Sequence, residues 1–462
     1  ALRRIDEDES MMNANTTDSQ QTGTRVGRRG RFLSMRGVRR CGIVAAALSA
    51  AVLLSSCMPY KTPSNQKIDR LRIGDAVVAV WMREGRSVSG LGGNTGDSAV
   101  GLLNEQGQAR VGYIPEGTES EFLWNERGLF FGGSLDEYMT TDEGTRQTGL
   151  TGYRSLEFER YGLPDGRVAV VSGADYWGYR VDIIELDGTI TSKETKDTSG
   201  DVGQCGERIV AITDTEKSKS IKSAAAALYG AQSGGRDDKS EALAAVVQLD
   251  DPVGDAPRVL AVAPKIDGLA SGQFMFACEG DVITMPSMLQ DDPVAARNFG
   301  VEATTGPMVL QRWDLSTGQR TVIPVHDENG DEITLSNDLT IFGYQAVQVG
   351  DEYRFISYKG HAFSINLRSG QGRYLFTIPA ETASFRTLFQ VTQTGVYALD
   401  QRRRDYVVTL SYRPWDGGDQ REIFSTNKLA KYLKQDGNIV SAGYEREIEF
   451  FALRPGWDGG AQ

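Results

Sequence analysis

Few residues in this chain could do acid–base or nucleophilic chemistry. Two histidines, His326 and His361, occur in 462 residues, so a serine- or cysteine-type hydrolase would need one of them as its base. His361 follows Lys359-Gly360 at a predicted strand start, where exposure is the ordinary explanation. The sequence contains no G-x-S-x-G elbow and no H-E-x-x-H pair. Carboxylates are the larger resource, with 57 of the 62 lying beyond residue 56, enough for the paired acids of a glycosidase. Asp327, Asn329 and Asp331 sit at the first, third and fifth positions of a calcium-type loop. Glu332 occupies the place of the turning glycine and Asp338 that of the bidentate Glu, so an acidic loop is expected, with no metal. Gly90-x-Gly92-Gly93-x-x-Gly96 is read as a turn, because no helix follows to receive a phosphate. Arg402-Arg403-Arg404 is read as a solvated turn. Tyr176, Trp177 and Tyr179, in the segment ADYWGYR at 174–180, could form a flat aromatic surface for sugar stacking or a protein hot spot. The alternative is that one or two of them point inward as strand residues.

The N-terminus carries an address. Residues 43–54, IVAAALSAAVLL, form an apolar run of about twelve residues, short of the ~20 that a spanning helix needs. Arg36, Arg39 and Arg40 precede it, which is the layout of a signal peptide. Leu54-Ser55-Ser56-Cys57 then resembles a bacterial lipobox. The resemblance implies a bacterial lipoprotein, acylated on Cys57, at the extracytoplasmic face of the cell membrane. The expected division is a polar tail over 1–34, a signal peptide over 35–56, a lipidated stalk over 57–66 and a folded body over 67–458. The tail is read as disordered or as a mis-assigned start, since Met35 would open a compact leader. Nine arginines and five acidic residues in 1–56 leave the remainder at −16, against −12 for the whole chain. That charge argues against a nucleic-acid partner and assigns membrane attachment to acyl chains rather than a basic patch.

These residues must be positioned by many short strands. Glycine is abundant, 53 of 462, without a collagen-like period, as tight turns require. From residue 75 onward one phrase recurs: a strand, a turn of Asp, Asn, Ser, Thr and Gly, then a second strand. Turns fall at Glu105–Gly107, Glu143–Gly144, Asp187–Gly188, Asp250–Asp251, Ser316–Gly318, Ser369–Gly370, Trp415–Asp419 and Pro455–Gly456. Four antiparallel strands per unit of ~45 residues is the pattern of an all-β propeller. The phrase Trp313-Asp314-Leu315-Ser316-Thr317-Gly318-Gln319 resembles WD-repeat and quinoprotein-like β-propellers of bacteria. The tryptophan-docking pattern of quinoproteins is missing, so no cofactor is carried over. Thr140-x-Asp142-x-Gly144 resembles the first half of a sialidase Asp-box, a structural motif. Eight repeats are counted, with seven as the alternative. The N-terminal strand Lys67–Ile73 is expected to close the ring by pairing with Ile448–Leu453. Helices are expected only at Ser220–Tyr229 and Asn427–Lys434.

Of four cysteines, Cys41 leaves with the leader and Cys57 carries lipid, so Cys205 and Cys278 remain. Both fall at the end of the first strand of consecutive repeats, where blades converge, which predicts a disulfide. Two buried thiols are the alternative. Two functions follow. The first is a lipid-anchored module that binds or scaffolds an envelope protein or glycan. The second is a carbohydrate-active enzyme, a glycosidase or lyase, with carboxylates at the channel mouth. The missing motifs favour the first.

Overall fold

The computed structural model describes residues 67–84, 98–114, 121–133, 135–150, 152, 154, 157–174, 178–232, 242–271, 275–289, 306–335, 346–357, 359–380, 385–434 and 446–459. The expected leader, Cys57, Tyr176 and Trp177 lie outside the described residues. Among the described residues no helix is long and apolar enough to cross a membrane.

Seven four-stranded antiparallel sheets form a ring, a seven-bladed β-propeller. Blade 1 joins Val78–Glu84, Ser98–Leu103 and Ala109–Ile114 to the C-terminal strand Arg446–Leu453. Blade 2 runs Leu123–Asn125, Gly128–Gly132, Asp136–Thr140, Thr145–Gly149, and blade 3 Glu157–Gly162, Val168–Ala174, Gly178–Ile184, Ile190–Glu194. Blade 4 comprises Asp201–Cys205, Arg208–Asp214, Leu243–Val253 and Ala256–Pro264. In blade 5 the first strand comes in two pieces, Leu269–Ser271 and Ala277–Glu279, ahead of Val282–Leu289, Gly306–Asp314 and Gln319–Pro324. Blade 6 is Ala346–Val349, Glu352–Ile356, His361–Asn366 and Gly372–Thr377; blade 7 is Phe385–Val391, Gly395–Arg402, Val408–Pro414 and Arg421–Thr426.

Packing explains the sequence texture. Second and third strands are covered on both faces by neighbouring blades, so they read as continuous apolar runs rather than alternating ones. Val78 to Met82 are fully buried, as are Leu129 to Phe131 and Val168 to Val171. Each Val, Leu, Phe or Met among them contributes about 1.5–3 kcal/mol by leaving water. Fourth strands alternate, as in Ile190–Glu194, because one face meets solvent.

The turn phrase also has a mechanism. The Asp314 carboxylate accepts from the N–H groups of Ser316 and Thr317 at 2.9 and 3.2 Å, and Asn366 does the same for Arg368 and Ser369. Gly318 and Gly370 then take φ of +71° and +75°, which side chains disfavour. Six of the eight turns read from the sequence are these third-to-fourth-strand hairpins; the seventh, Asp250–Asp251, lies within the third strand of blade 4, whose hairpin turns instead at Gly254-Asp255. The eighth, at Pro455–Gly456, follows Arg446–Leu453 and starts no blade. Seven blades, the alternative count, is therefore correct.

Closure differs from expectation as well. Arg446–Leu453 pairs with Val78–Glu84, in register from Val78↔Leu453 to Glu84↔Arg446. Lys67–Ile73 instead crosses the outer seam of blades 1 and 2. It makes one bridge, Lys67 to Tyr113, and a 3-10 turn at Ile68–Arg70. The Ile73 N–H donates to Thr141 O, and the Thr145 hydroxyl donates to Leu71 O, both at 3.1 Å. Blade 1 already holds four strands, so this segment can only cover its outer edge, where it buries Ile68, Leu71 and Ile73.

The two expected helices are present, as Lys222–Gln232 and the single turn Ala430–Leu433. The first buries Ile221, just before it, and Ala225 on the apolar cluster shared by blades 3 and 4. Residues 215–232, between the second and third strands of blade 4, are thus packed structure.

Candidate functional site

Propeller chemistry concentrates where first strands approach the axis. Here the first strands of blades 3 and 4, with the approach to blade 5, enclose a cleft of about 250 Å³. Its walls carry Phe158, Tyr161, Tyr179 and Phe276, with Met275 at the rim and the carboxyl side chains of Glu159 and Asp201. Phe158 and Met275 are 36% and 38% exposed.

The cleft is built by close backbone approaches. Gly203 faces Phe276 so tightly that a Cβ there would lie 2.3 Å from the ring. Cys205 and Cys278 form the expected disulfide, with Cα atoms 5.4 Å apart, which ties the two walls together two residues beyond Gly203 and Phe276. The Tyr353 hydroxyl donates to Met275 O at 2.8 Å, and the Cys278 N–H donates to Gln348 Oε1 at 3.1 Å. Both partners belong to blade 6 or its first strand, so three blades hold one wall.

Tyr179 is buried at 6% exposure. Its hydroxyl donates to Gly200 O at 2.5 Å and accepts from Gly200 N at 2.8 Å. Burial pushes the phenol well above its ordinary range. The ring packs edge-on to Phe158, centroids 5.7 Å apart. Tyr179 therefore both fixes the start of blade 4 and lends its ring to the cleft, while its sequence neighbours Tyr176 and Trp177 fall outside the described residues.

Behind the aromatic wall lies a buried ion network between blades 2 and 3. Arg154 donates to Glu137 Oε2 and Asp182 Oδ2, each at 2.9 Å. Arg160 grips Glu157 Oε2 at 2.7 Å and Glu137 Oε2 at 3.1 Å, and Arg180 Nε donates to Asp182 Oδ1 at 2.8 Å. Three guanidiniums thus balance three carboxylates, the condition for burying charge at tolerable cost. Gly132 leaves the space: a Cβ there would stand 2.5 Å from Arg160 and 2.6 Å from Arg154.

The network places a fourth and fifth acid. Glu157 Oε1 accepts the backbone N–H of Glu121 at 3.1 Å, and the Glu121 and Glu159 side chains share a hydrogen bond. Burial, reinforced by the neighbouring carboxylates, pushes Glu121 well above the carboxylate range. Burial likewise raises Glu159 to about 7. Such a pair retains a proton at neutral pH. Sequence reading missed it. The segment Glu157-Phe158-Glu159-Arg160-Tyr161 looks like simple alternation, but a bulge between Glu157 and Glu159 shifts the register and separates their roles. Glu157 joins the network and Glu159 lines the cleft.

Elsewhere, the Asp327 carboxylate accepts from the N–H groups of Asn329 and Asp331 at 2.8 and 2.9 Å, so it stabilises its own turn. His361 Nδ1 meets the Thr377 hydroxyl at 2.8 Å. Among the described residues no group of three or more His, Cys, Asp or Glu is placed to hold a metal ion.

No protein-family model and no curated protein sequence matches the chain. Solved structures resemble it distantly. The β-propeller domain of the trilobed protease from Pyrococcus furiosus is 11% identical, covering 77% of this chain and 95% of that one, at TM-score 0.42. Lignostilbene dioxygenase of Pseudomonas brassicacearum is 10% identical over 75% and 88%, at 0.40. The Neurospora crassa Pan2 WD40 domain is 12% identical over 72% and 85%, at 0.37. At these values none of them bears on what this chain does; the ring of seven blades rests on its own strand pairing.

Proposed function

We propose that this chain is a lipid-tethered extracytoplasmic β-propeller that binds an envelope protein or glycan rather than transforming it. The observation that carries the reading is the Cys205–Cys278 disulfide. Once Cys41 is removed with the leader and Cys57 is acylated, these two cysteines are the whole remaining complement, and their pairing suits an oxidising compartment. The lipobox-like Leu54–Cys57 supplies the tether in this reading, and the formal −16 of the mature chain leaves acyl groups as the membrane contact.

Binding is preferred over glycoside hydrolysis on the geometry of the carboxyl pair. Hydrolysis requires two carboxyl groups about 5–9 Å apart, flanking the scissile bond. Glu121 and Glu159 instead share a hydrogen bond, closer than that spacing. The experiment is labelling of cells with an alkyne fatty acid, followed by fractionation and chemical crosslinking on intact cells. Label and membrane recovery should depend on Cys57, and Cys57→Ala should remove both. Membrane recovery that survives Cys57→Ala without label would overturn the tether. Turnover of a cell-wall glycan by the purified protein would overturn the binding role.

A further inference from the structure

The cleft between blades 3, 4 and 5 has a chemistry of its own. Four aromatic rings and the Met275 side chain supply an apolar, polarizable wall. Glu159 and Asp201 bring carboxyl groups to the same space, and no Lys or Arg among the described residues lines it. Ring faces carry partial negative charge and attract cations, most strongly when desolvated. The guanidiniums of Arg154 and Arg160, behind this wall, are engaged by Glu137, Glu157 and Asp182. Among the described residues, the Glu159 side chain hydrogen-bonds to the Glu121 carboxyl.

We infer that this cleft is a binding site for an organic cation with an apolar body, an aryl- or alkylammonium group held by Phe158, Tyr161 and Phe276 against the Glu159 carboxyl. Sharing one proton, the Glu121–Glu159 pair keeps a single negative charge that a cation offsets and a neutral occupant does not, and an anion would meet that charge and Asp201 together. The size of the cleft suits a group of about ten to fifteen heavy atoms, below the usual range for drug-like pockets of ~300–1,000 Å³. The occupant is therefore a small molecule or the cationic end of a larger partner. The inference rests on the binding-module reading, but not on the tether.

Full-length protein would be titrated with benzyltrimethylammonium, benzyl alcohol and phenylacetate at constant ionic strength, followed by ligand-observed NMR. Saturable binding of the cation, at least tenfold tighter than either other probe, is expected. Glu159→Gln should remove most of that preference, and Phe158→Leu, at an exposed position that leaves the fold undisturbed, should weaken cation binding several-fold. Equal binding of the alcohol or the carboxylate would overturn the inference. So would an absence of saturable cation binding, a preference untouched in Glu159→Gln, or a cation affinity unchanged in Phe158→Leu. Because Cys57 labelling is read separately, failure here leaves the tether standing, and loss of the tether leaves the cleft standing.

Discussion

Gly203 and Phe276 come from consecutive blades, yet a methyl group on the glycine would lie 2.3 Å from the Phe276 ring. The backbone on both sides of the ring is held, because Cys278, two residues on, is bonded to Cys205 and Met275 O accepts from Tyr353. Gly203→Ala should therefore force the wall outward. Overpacking of this kind costs about 1–3 kcal/mol, measurable as a lower urea midpoint. Cation binding should weaken in the same variant, linking the packing to the cleft.

The disulfide spans 73 residues of sequence. In the chain-entropy account, closing such a loop is worth up to about 4 kcal/mol. Cys278→Ser should lower the thermal midpoint by several degrees while the far-ultraviolet spectrum stays that of a β protein, since the blades keep their ladders. Peptide mapping without reductant should recover one linked peptide pair from the wild type and none from the variant.

How much of this was legible in the sequence depended on periodicity. The hairpin phrase around Asp314 and Asn366 is local chemistry, so six of the turns, the four-strand unit and the positions of Cys205 and Cys278 could be read directly. The blade count slipped by one because Pro455–Gly456 has turn composition without a hairpin partner, and composition cannot show pairing. Lys67–Ile73 misled for a related reason: Ile68, Leu71 and Ile73 are apolar because they cover a seam, which reads the same as a strand. The Glu121–Glu159 pair was illegible. It joins residues through a bulge and a neighbouring blade, and nothing local marks either acid among 62.

Ring closure makes its own prediction. Arg446–Leu453 is the first strand of blade 1 and is anchored on the blade 7 side by Arg386 to Glu447 at 2.8 Å and by the Ile448 N–H donating to Gln401 Oε1 at 2.8 Å. Ending the chain after residue 445 would strip the fully buried run Val78 to Met82 of its partner strand and open two sheet edges. The truncated protein should unfold without a single cooperative transition and should aggregate on size-exclusion chromatography. Leu71→Ala, at the outer seam, should cost the 2–5 kcal/mol of an ordinary core truncation and leave the unfolding two-state. If the truncation behaved like Leu71→Ala, the C-terminal strand would not be what closes the ring.

The carboxyl pair should give the protein a stability that declines with pH. Glu121 and Glu159 both hold their protons more tightly when folded, Glu159 up to about 7 against an ordinary 4.5. An acid whose folded pKa is raised favours the folded state while protonated. Its contribution is full below about 4.5 and is lost as pH climbs through about 7. The loss follows from burial first and then from the repulsion among Glu121, Glu157 and Glu159, which Arg160 offsets in part. The chemical-denaturation midpoint should therefore fall between pH 5 and pH 8. Glu121→Gln keeps a neutral hydrogen-bonding group where the protonated acid stood, so it should match the wild type near pH 5 and exceed it at pH 8. Replacing Glu126, on the exposed turn of blade 2, should leave the pH profile unchanged. An unaltered slope in Glu121→Gln would place the titration elsewhere; a flattened one would show that the proton shared with Glu159 is the group that folding holds.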